Sequence, residues 1–221
     1  MAALLARPSG PKRMPPGAEP PLPKLLVATN NPGKFREFRQ LLESCGWELV
    51  SPRELGIDVE VEESGQTYAE NARIKAEAYA RASGLAALAD DSGIEVDALG
   101  GAPGVRSARY GGPDLTDEER VERLLAAVRA VPDDRRTARF RCVIAIATPE
   151  GEVRYAEGTV EGRLAREPRG TNGFGYDPIF LLPERGLTTA ELPPGEKNRI
   201  SHRGRAAEEA KAILKAMLHG T

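Results

Sequence analysis

The chain has 221 residues, of which 40% are hydrophobic and 29% are charged, and its formal net charge is −2 at pH 7. This length suits one domain, or two tightly joined lobes, with a sizeable core. The acidic balance argues against a nucleic-acid binder, and no apolar run is long enough to span a bilayer. Two cysteines, Cys45 and Cys142, lie far apart without metal-ligand spacing, which favours a reduced, cytoplasmic setting.

The N-terminal segment, residues 1–23, contains seven prolines and no apolar periodicity. We therefore expect a flexible extension, followed by one domain over residues 24–221. A short apolar run at 24–29 predicts a buried strand. Apolar residues at helical spacing then predict a helix over 34–45, and a second strand is expected at 47–50.

A capping box at Thr67 and Glu70 predicts that the alanine-rich segment 71–83 is a helix, which Gly84 ends. The next apolar run, 85–89, predicts a strand. Two further helices are predicted, at 116–131 and 204–218. Two long strands, at 137–148 and 153–164, are predicted to form a hairpin. This alternation of helices and strands predicts an α/β fold with a mixed sheet.

The segment TNNPGK, from Thr29 to Lys34, follows a predicted strand and opens a helix. Its hydroxyl, amide and lysine groups at a helix N-terminus form a nest suited to an anion. The spacing differs from that of dinucleotide and nucleotide-kinase phosphate loops. Taken alone, the stretch also fits an ordinary Asn-Pro-Gly turn with a solvated lysine.

A second candidate is a set of carboxylates on Glu62, Glu63, Asp90 and Asp91. Asp90 and Asp91 are expected at the end of a strand, where sites gather in open α/β sheets. Neighbouring strand residues point to opposite faces, so only one of the two should face a given cleft. Oxygen donors of this kind suit a hydrated Mg²⁺, although Glu62 and Glu63 also fit a solvated acidic loop.

The glycine-rich segment GTNGFGYDPIF, residues 170–180, holds two aromatic residues and an acid between glycines. Phe174 and Tyr176 offer stacking faces, and Asp177 can accept hydrogen bonds from ring N–H groups. The pattern suits a flat ligand with a polar edge, but it also fits a turn that enters a buried strand. Lys75, in mid-helix, fits a solvated side chain. The string KNRISHR at 197–203 offers donors for anions or carbonyl oxygens at a helix entrance, but it also fits a helix N-cap at Ser201 with exposed charge.

Five motifs, in one order along the chain, resemble the inosine triphosphate pyrophosphatase family: TNNPGK, ESGQTYAENARIKA, ADDSGIEVDALGGAPGVRSARY, GTNGFGYDPIF and EKNRISHRGRA. The resemblance runs from about residue 24 to the C-terminus. It implies Mg²⁺-dependent hydrolysis of ITP, dITP and XTP to the nucleoside monophosphate and pyrophosphate, by a homodimer. It also implies an elongated, two-lobed fold around a long mixed sheet with flanking helices, and an active site in the cleft between the lobes.

The resemblance further implies roles for individual residues. Asp91 would be the catalytic acid–base residue and, with Glu62, would bind the metal; Glu63 competes with Glu62 because the loop length there varies. The residues implied to bind the substrate are Thr29, Asn30, Asn31, Gly33, Lys34, Lys75, Ser92, Phe174, Gly175, Tyr176, Asp177, Lys197, His202 and Arg203. In the first loop, Asn31 is a better match than Asn30.

Three alternative functions fit the sequence less well. A related pyrophosphatase for pyrimidine or methylated nucleotides fits less well because of the FGYD stretch and the adjacent His202 and Arg203. A purine-nucleotide-binding regulator without turnover would not need Asp91, Glu62 and Lys34 together. A nucleic-acid binder is disfavoured by the acidic balance.

Overall fold

A computed structural model describes residues 21–220. Its strands are Lys24–Val27 (β1), Glu48–Val50 (β2), Ala86–Val96 (β3), Thr137–Ala147 (β4), Val153–Leu164 (β5), Phe180–Leu182 (β6) and Leu187–Thr188 (β7). Its helices are Pro32–Leu41 (α1), Tyr68–Ser83 (α2), Asp117–Ala127 (α3), Pro194–Ile200 (α4) and His202–Leu218 (α5). The strands form one sheet in the order β2-β1-β3-β4-β5-β6-β7. Strand β1 is parallel to β2 and β3 and the other pairs are antiparallel, which confirms the mixed α/β fold.

Local sequence explains where the first two helices begin. The predicted capping box is present at α2, since Thr67 Oγ1 accepts from Glu70 N at 3.2 Å and Glu70 Oε2 accepts from Thr67 N at 3.1 Å. Helix α1 begins earlier than predicted. Asn31 caps it with its side chain, and Pro32 suits the first helical position because its missing N–H has no partner to lose there.

Strand β3 is much longer than predicted. Its pairing with β4 runs from Ala87 to Val96, so the expectation of a strand ending at residue 89 was wrong. The error arose because polar residues interrupt the apolar run, whereas the ladder to β4 continues through them. Asp90, Asp91 and Ser92 therefore lie in the middle of a strand. The long hairpin of β4 and β5 is confirmed.

The long strands carry two apolar clusters on one face of the sheet. Alternate residues of β3 contribute Leu88 to a cluster with α1 and α5, and Ile94 to a second cluster with α3 and β6. Asp90 and Ser92 lie between them on the same strand face. The two clusters are the cores of two lobes that share the long strands, and a polar gap separates the cores.

A third cluster packs on the opposite face of the sheet, where Ala87, Ala89 and Ala145 lie against α2. These small side chains let the helix approach the strands closely. Two short elements, β7 and α4, were not predicted. Residues 1–20 of the predicted N-terminal extension lie outside the described part of the chain. Over residues 21–220, no helix has the length and apolar character needed to cross a membrane.

Candidate active site

A cleft of about 320 Å³ lies between the lobes, a size within the usual range of ligand sites. Most of the sequence-predicted residues line it: Asn31, Lys34, Lys75, Asp91, Ser92, Phe174, Gly175, Tyr176, Asp177, Lys197, His202 and Arg203. Four predicted residues are outside this lining: Thr29, Asn30, Gly33 and Glu62. Six residues that were not predicted also line the cleft: Gly93, Ser107, Ala108, Asp117, Arg120 and Phe140. Glu63, the competitor to Glu62, lines it as well.

The N-terminus of α1 forms one wall of the cleft. Asn31 Oδ1 accepts from Gly33 N at 2.8 Å and from Lys34 N at 3.1 Å, and Thr29 Oγ1 accepts from Asn31 N at 3.2 Å. A Cβ at Gly33 would lie only 3.1 Å from the Phe174 ring, so this helix end packs closely against the glycine-rich loop. Thr29 and Gly33 therefore shape the nest, while Lys34 reaches the cleft.

Asp90 is buried beneath the cleft, where it holds two cations. Its Oδ2 lies 3.0 Å from Lys34 Nζ and 3.2 Å from Arg203 Nη2, and it accepts from Ser92 Oγ at 3.2 Å. Burial alone would raise the pKa of Asp90. The charges of Lys34 and Arg203, with that of Lys75, outweigh burial and hold the pKa far below its ordinary value.

Asp91, the next residue, lines the cleft. Its Oδ2 accepts from Asn71 Nδ2 at 3.0 Å, and its Oδ1 accepts from Ser92 N at 3.0 Å. Burial raises the pKa of Asp91, although the nearby Lys75 charge and the Asn71 hydrogen bond act in the opposite direction. A carboxylate in such surroundings is better suited than Asp90 to take up a proton.

The acidic loop, residues 60–66, presents Glu63 to the cleft, whereas Glu62 is exposed. Lys75 Nζ lies 2.7 Å from Glu63 Oε1 and donates to the backbone oxygen of Asp90 at 2.7 Å. The expectation of a solvated Lys75, based on the residues alone, was therefore wrong. The structure brings Glu63, rather than Glu62, into the same cleft as Asp91.

The glycine-rich loop is organised around the Asp177 carboxylate. Its Oδ2 accepts from Phe174 N at 2.9 Å and from Lys197 Nζ at 2.5 Å, and its Oδ1 accepts from Thr189 Oγ1 at 2.9 Å. The Phe174 ring centroid lies 5.0 Å from Lys197 Nζ and 5.6 Å from the Arg203 guanidinium carbon. An aromatic face is thus held at the cleft beside two cations.

Glu37, which sequence reasoning missed, joins those two cations. Its carboxylate oxygens accept from Lys197 Nζ at 3.0 Å and from Arg203 Nη1 at 2.6 Å. Burial opposes its charge, but the Arg203 and Lys197 charges hold the pKa of Glu37 below its ordinary value. Its spacing of three residues from Lys34, on one face of α1, is the sequence signal that could have identified it.

His202 contributes a neutral imidazole to the cleft. Its ring stacks on Phe140 with centroids 4.7 Å apart, and its Nδ1 has no hydrogen-bond partner among residues 21–220. Burial, reinforced by the charges of Arg203 and Lys197, holds the pKa of His202 well below its ordinary value. A buried polar atom without a partner at the wall of a cleft is typical of a ligand contact.

A model of the Ham1 family matches residues 25–213. The chain belongs to the Ham1 family. It is 49% identical over 191 residues to a dITP/XTP pyrophosphatase of Bacillus licheniformis, covering 86% of this chain and 97% of that protein. It is 52% identical over 200 residues to a dITP/XTP pyrophosphatase of Methylococcus capsulatus, covering 89% and 98%. A solved Ham1 protein from Coxiella burnetii is 45% identical, with a TM-score of 0.80, covering 87% of this chain and 98% of that one. These matches confirm the family resemblance.

Proposed function

We propose that this protein hydrolyses dITP, ITP and XTP to the nucleoside monophosphate and pyrophosphate, and so removes them from the nucleotide pool. The observation that carries the proposal is one cleft that combines a helix N-terminus with Lys34, a carboxylate of raised pKa on Asp91, and an aromatic face at Phe174. The names of two relatives, at 49% and 52% identity, support the substrate class.

The triphosphate would lie against the N-terminus of α1. Lys34 supplies a charge at the cleft that is only 18% exposed, and the end of a helix favours an anion through its partial positive charge. Asp90 holds the Lys34 ammonium in place from below. Positioning and neutralising phosphate charge are the main tasks of a protein in phosphoryl chemistry.

The donor chemistry of the cleft fits Mg²⁺, which Asp91 and Glu63 would hold. Mg²⁺ prefers oxygen ligands and is commonly bound by one or two carboxylates together with water and substrate phosphates. When bound, it would supply positive charge to the phosphates and acidify a ligated water. The family resemblance implies Glu62 for this role, but we propose Glu63, its competitor, because Glu63 lines the cleft with Asp91.

Asp91 would act as the general base. The oxygen of an attacking water forms a bond to the α-phosphorus while its proton passes to the Asp91 carboxylate. The bond from the α-phosphorus to the bridging oxygen breaks, and pyrophosphate leaves with that oxygen. Hydrogen bonds from Asn71 and Ser92 fix the orientation of the Asp91 carboxylate.

Selectivity for the base would follow from hydrogen-bond polarity. Hypoxanthine and xanthine have an N–H at ring position 1 and an oxo group at position 6, whereas adenine reverses donor and acceptor. His202 and Arg203 are the donors for the oxo group, and Asp177 is the acceptor for the N–H. Such a site can reject a mismatched analogue by about 10⁴–10⁵. Stacking on Phe174 would add about 1–3 kcal/mol.

The test is product analysis of the purified protein with dITP, ITP, XTP, ATP and GTP, with Mg²⁺ and with a chelator, assaying pyrophosphate and orthophosphate separately. We expect pyrophosphate from dITP, ITP and XTP, far less from ATP, and none after chelation. Orthophosphate would instead mean attack at the terminal phosphate. Tight binding of ITP without turnover would favour a nucleotide-sensing regulator. We also propose that the protein is cytoplasmic and forms a homodimer. Light scattering of the purified protein measures its molecular mass and so tests the dimer.

A further inference from the structure

Asn71 on α2 connects two parts of the cleft that are distant in sequence. The residue is fully buried. Its Nδ2 donates to Asp91 Oδ2 at 3.0 Å, and its Oδ1 accepts from Gly65 N at 2.8 Å. The amide orientation is fixed by these partners, because only the NH₂ can donate to a carboxylate and only the oxygen can accept from a backbone N–H. Asn71 thereby joins Asp91 to the loop that carries Glu63.

The backbone at Gly65 leaves no space for a side chain. A Cβ there would lie 2.6 Å from Asn71 Oδ1 and 2.7 Å from Glu70 Cβ. One turn further along α2, Lys75 holds Glu63 at 2.7 Å. Helix α2 therefore binds the acidic loop at two points, through Asn71 and through Lys75. The absence of a side chain at Gly65 allows the backbone to approach Asn71 closely.

We propose that Asn71 is a positioning residue that sets the acidic loop against Asp91, so that Glu63 and Asp91 work as one pair. The inference rests on the proposed function for its catalytic consequence. An aspartate at position 71 would face the Asp91 carboxylate with a like charge. A leucine would leave a carboxylate oxygen and the Gly65 N–H without partners, and buried polar groups without hydrogen bonds are destabilising and rare. Of these residues, only the amide satisfies both neighbours.

Two variants test the coupling from its two sides. Asn71→Asp keeps the acceptor for Gly65 and removes the donor to Asp91, whereas Gly65→Ala pushes the loop away and leaves Asn71 beside Asp91. Ser64→Ala, at an exposed position of the same loop, is the matched control. The measurements are kcat and KM for dITP, binding of Mn²⁺ without nucleotide, and hydrogen exchange of residues 60–66.

For Asn71→Asp and Gly65→Ala we expect kcat to fall by about tenfold or more, because a hydrogen bond to a charged group is lost or its loop is displaced. KM should change by less than about threefold. Mn²⁺ binding should weaken and the loop should exchange faster in both variants. Ser64→Ala should match the wild type in every measurement.

Two of the measurements are independent of turnover. If the wild-type protein does not hydrolyse dITP, the proposed function fails, while weaker Mn²⁺ binding and faster loop exchange in Asn71→Asp still support the coupling. Wild-type kcat, Mn²⁺ binding and loop exchange in Asn71→Asp would overturn it. If Asn71→Asp does not fold, Gly65→Ala decides, and wild-type loop exchange in that variant would overturn the inference.

Discussion

Asp90 and Asp91 are adjacent in β3, yet their carboxylates have opposite surroundings. Lys34 and Arg203, both within 3.2 Å of Asp90, hold its pKa far below the ordinary value. Asp91 faces the cleft, and burial raises its pKa. Because neighbouring strand residues point to opposite faces, one dipeptide provides both a fixed charge for two cations and a group able to accept a proton.

The two aspartates should respond differently to removal of their charge. Asp91→Asn should reduce dITP turnover by about 10²–10⁴-fold, the usual contribution of a general base. Its free energy of unfolding should stay the same or rise, because the raised pKa means that an ionised Asp91 disfavours the folded state at neutral pH. Near-normal turnover in this variant would remove Asp91 from the mechanism.

Asp90→Asn should instead destabilise the fold. It leaves the buried Arg203 and Lys34 with less countercharge, and breaking a buried pair typically costs about 3–5 kcal/mol. Urea unfolding at neutral pH measures the change. Wild-type stability in this variant would contradict the role of Asp90 as the countercharge beneath the cleft.

His202 should make stability depend on pH in a defined direction. The ordinary histidine pKa is 6.5, and that of folded His202 lies well below it. Below about pH 6.5 the unfolded chain takes up a proton that the folded protein refuses, so the free energy of unfolding falls as pH decreases, by up to about 1.4 kcal/mol per pH unit.

The measurement is denaturant unfolding of the wild type and of His202→Asn between about pH 5 and 8. The chain has one other histidine, His219, which is present in both proteins. We expect the wild type to lose more stability than the variant as pH falls. Identical pH dependence would show that His202 titrates normally in the folded state.

Two variants, Asp177→Asn and Thr189→Val, test together whether the Asp177 carboxylate sets the proposed selectivity for the base. Asp177→Asn should lower the ratio of kcat/KM for dITP over ATP by about tenfold or more, because a carboxylate acceptor for the base N–H is replaced by an amide that can also donate. Thr189→Val removes one hydrogen bond to the same carboxylate and keeps its charge. The ratio should then stay within about threefold of the wild type. Equal losses in both variants would mean that Asp177 acts only by holding the loop.

Lys34 should be required for binding of the triphosphate. Lys34→Met removes a charge at the cleft, so KM for dITP should rise by about tenfold or more and kcat should fall. Arg36→Met, at an exposed position of the same helix, loses the same charge away from the cleft and is the control. A comparable effect from both variants would indicate general electrostatic attraction rather than a phosphate contact.

Local signals predicted much of the fold. The capping box at Thr67 and the glycine after α2 predicted where that helix begins and ends, because both signals act within one turn of the chain. The strand ending before Asp90 was a wrong prediction, because the partner that extends β3 lies about fifty residues away in β4. Polar residues in a strand give no apolar periodicity, so the ladder could not be read from the run itself.

In the candidate site, too, local motifs were predictable from the sequence and contacts between distant residues were not. The residues proposed to contact a ligand lie in recognisable motifs, and most of them line the cleft, as with Lys34 and His202. The residues that hold them, Asn71, Glu37 and Thr189, bind partners that are distant in sequence. Which of Glu62 and Glu63 lines the cleft likewise depends on the path of a loop, which local spacing does not specify.

The most direct test of the central claim is hydrolysis of ITP in water enriched in ¹⁸O, with mass analysis of both products. We expect the label in the nucleoside monophosphate and none in pyrophosphate, because water attacks the α-phosphorus, and we expect labelled monophosphate to form about 10²–10⁴-fold more slowly in Asp91→Asn. Label in pyrophosphate would place the attack at the β-phosphorus. Label in orthophosphate would place it at the terminal phosphate, and either result would contradict the proposed reaction.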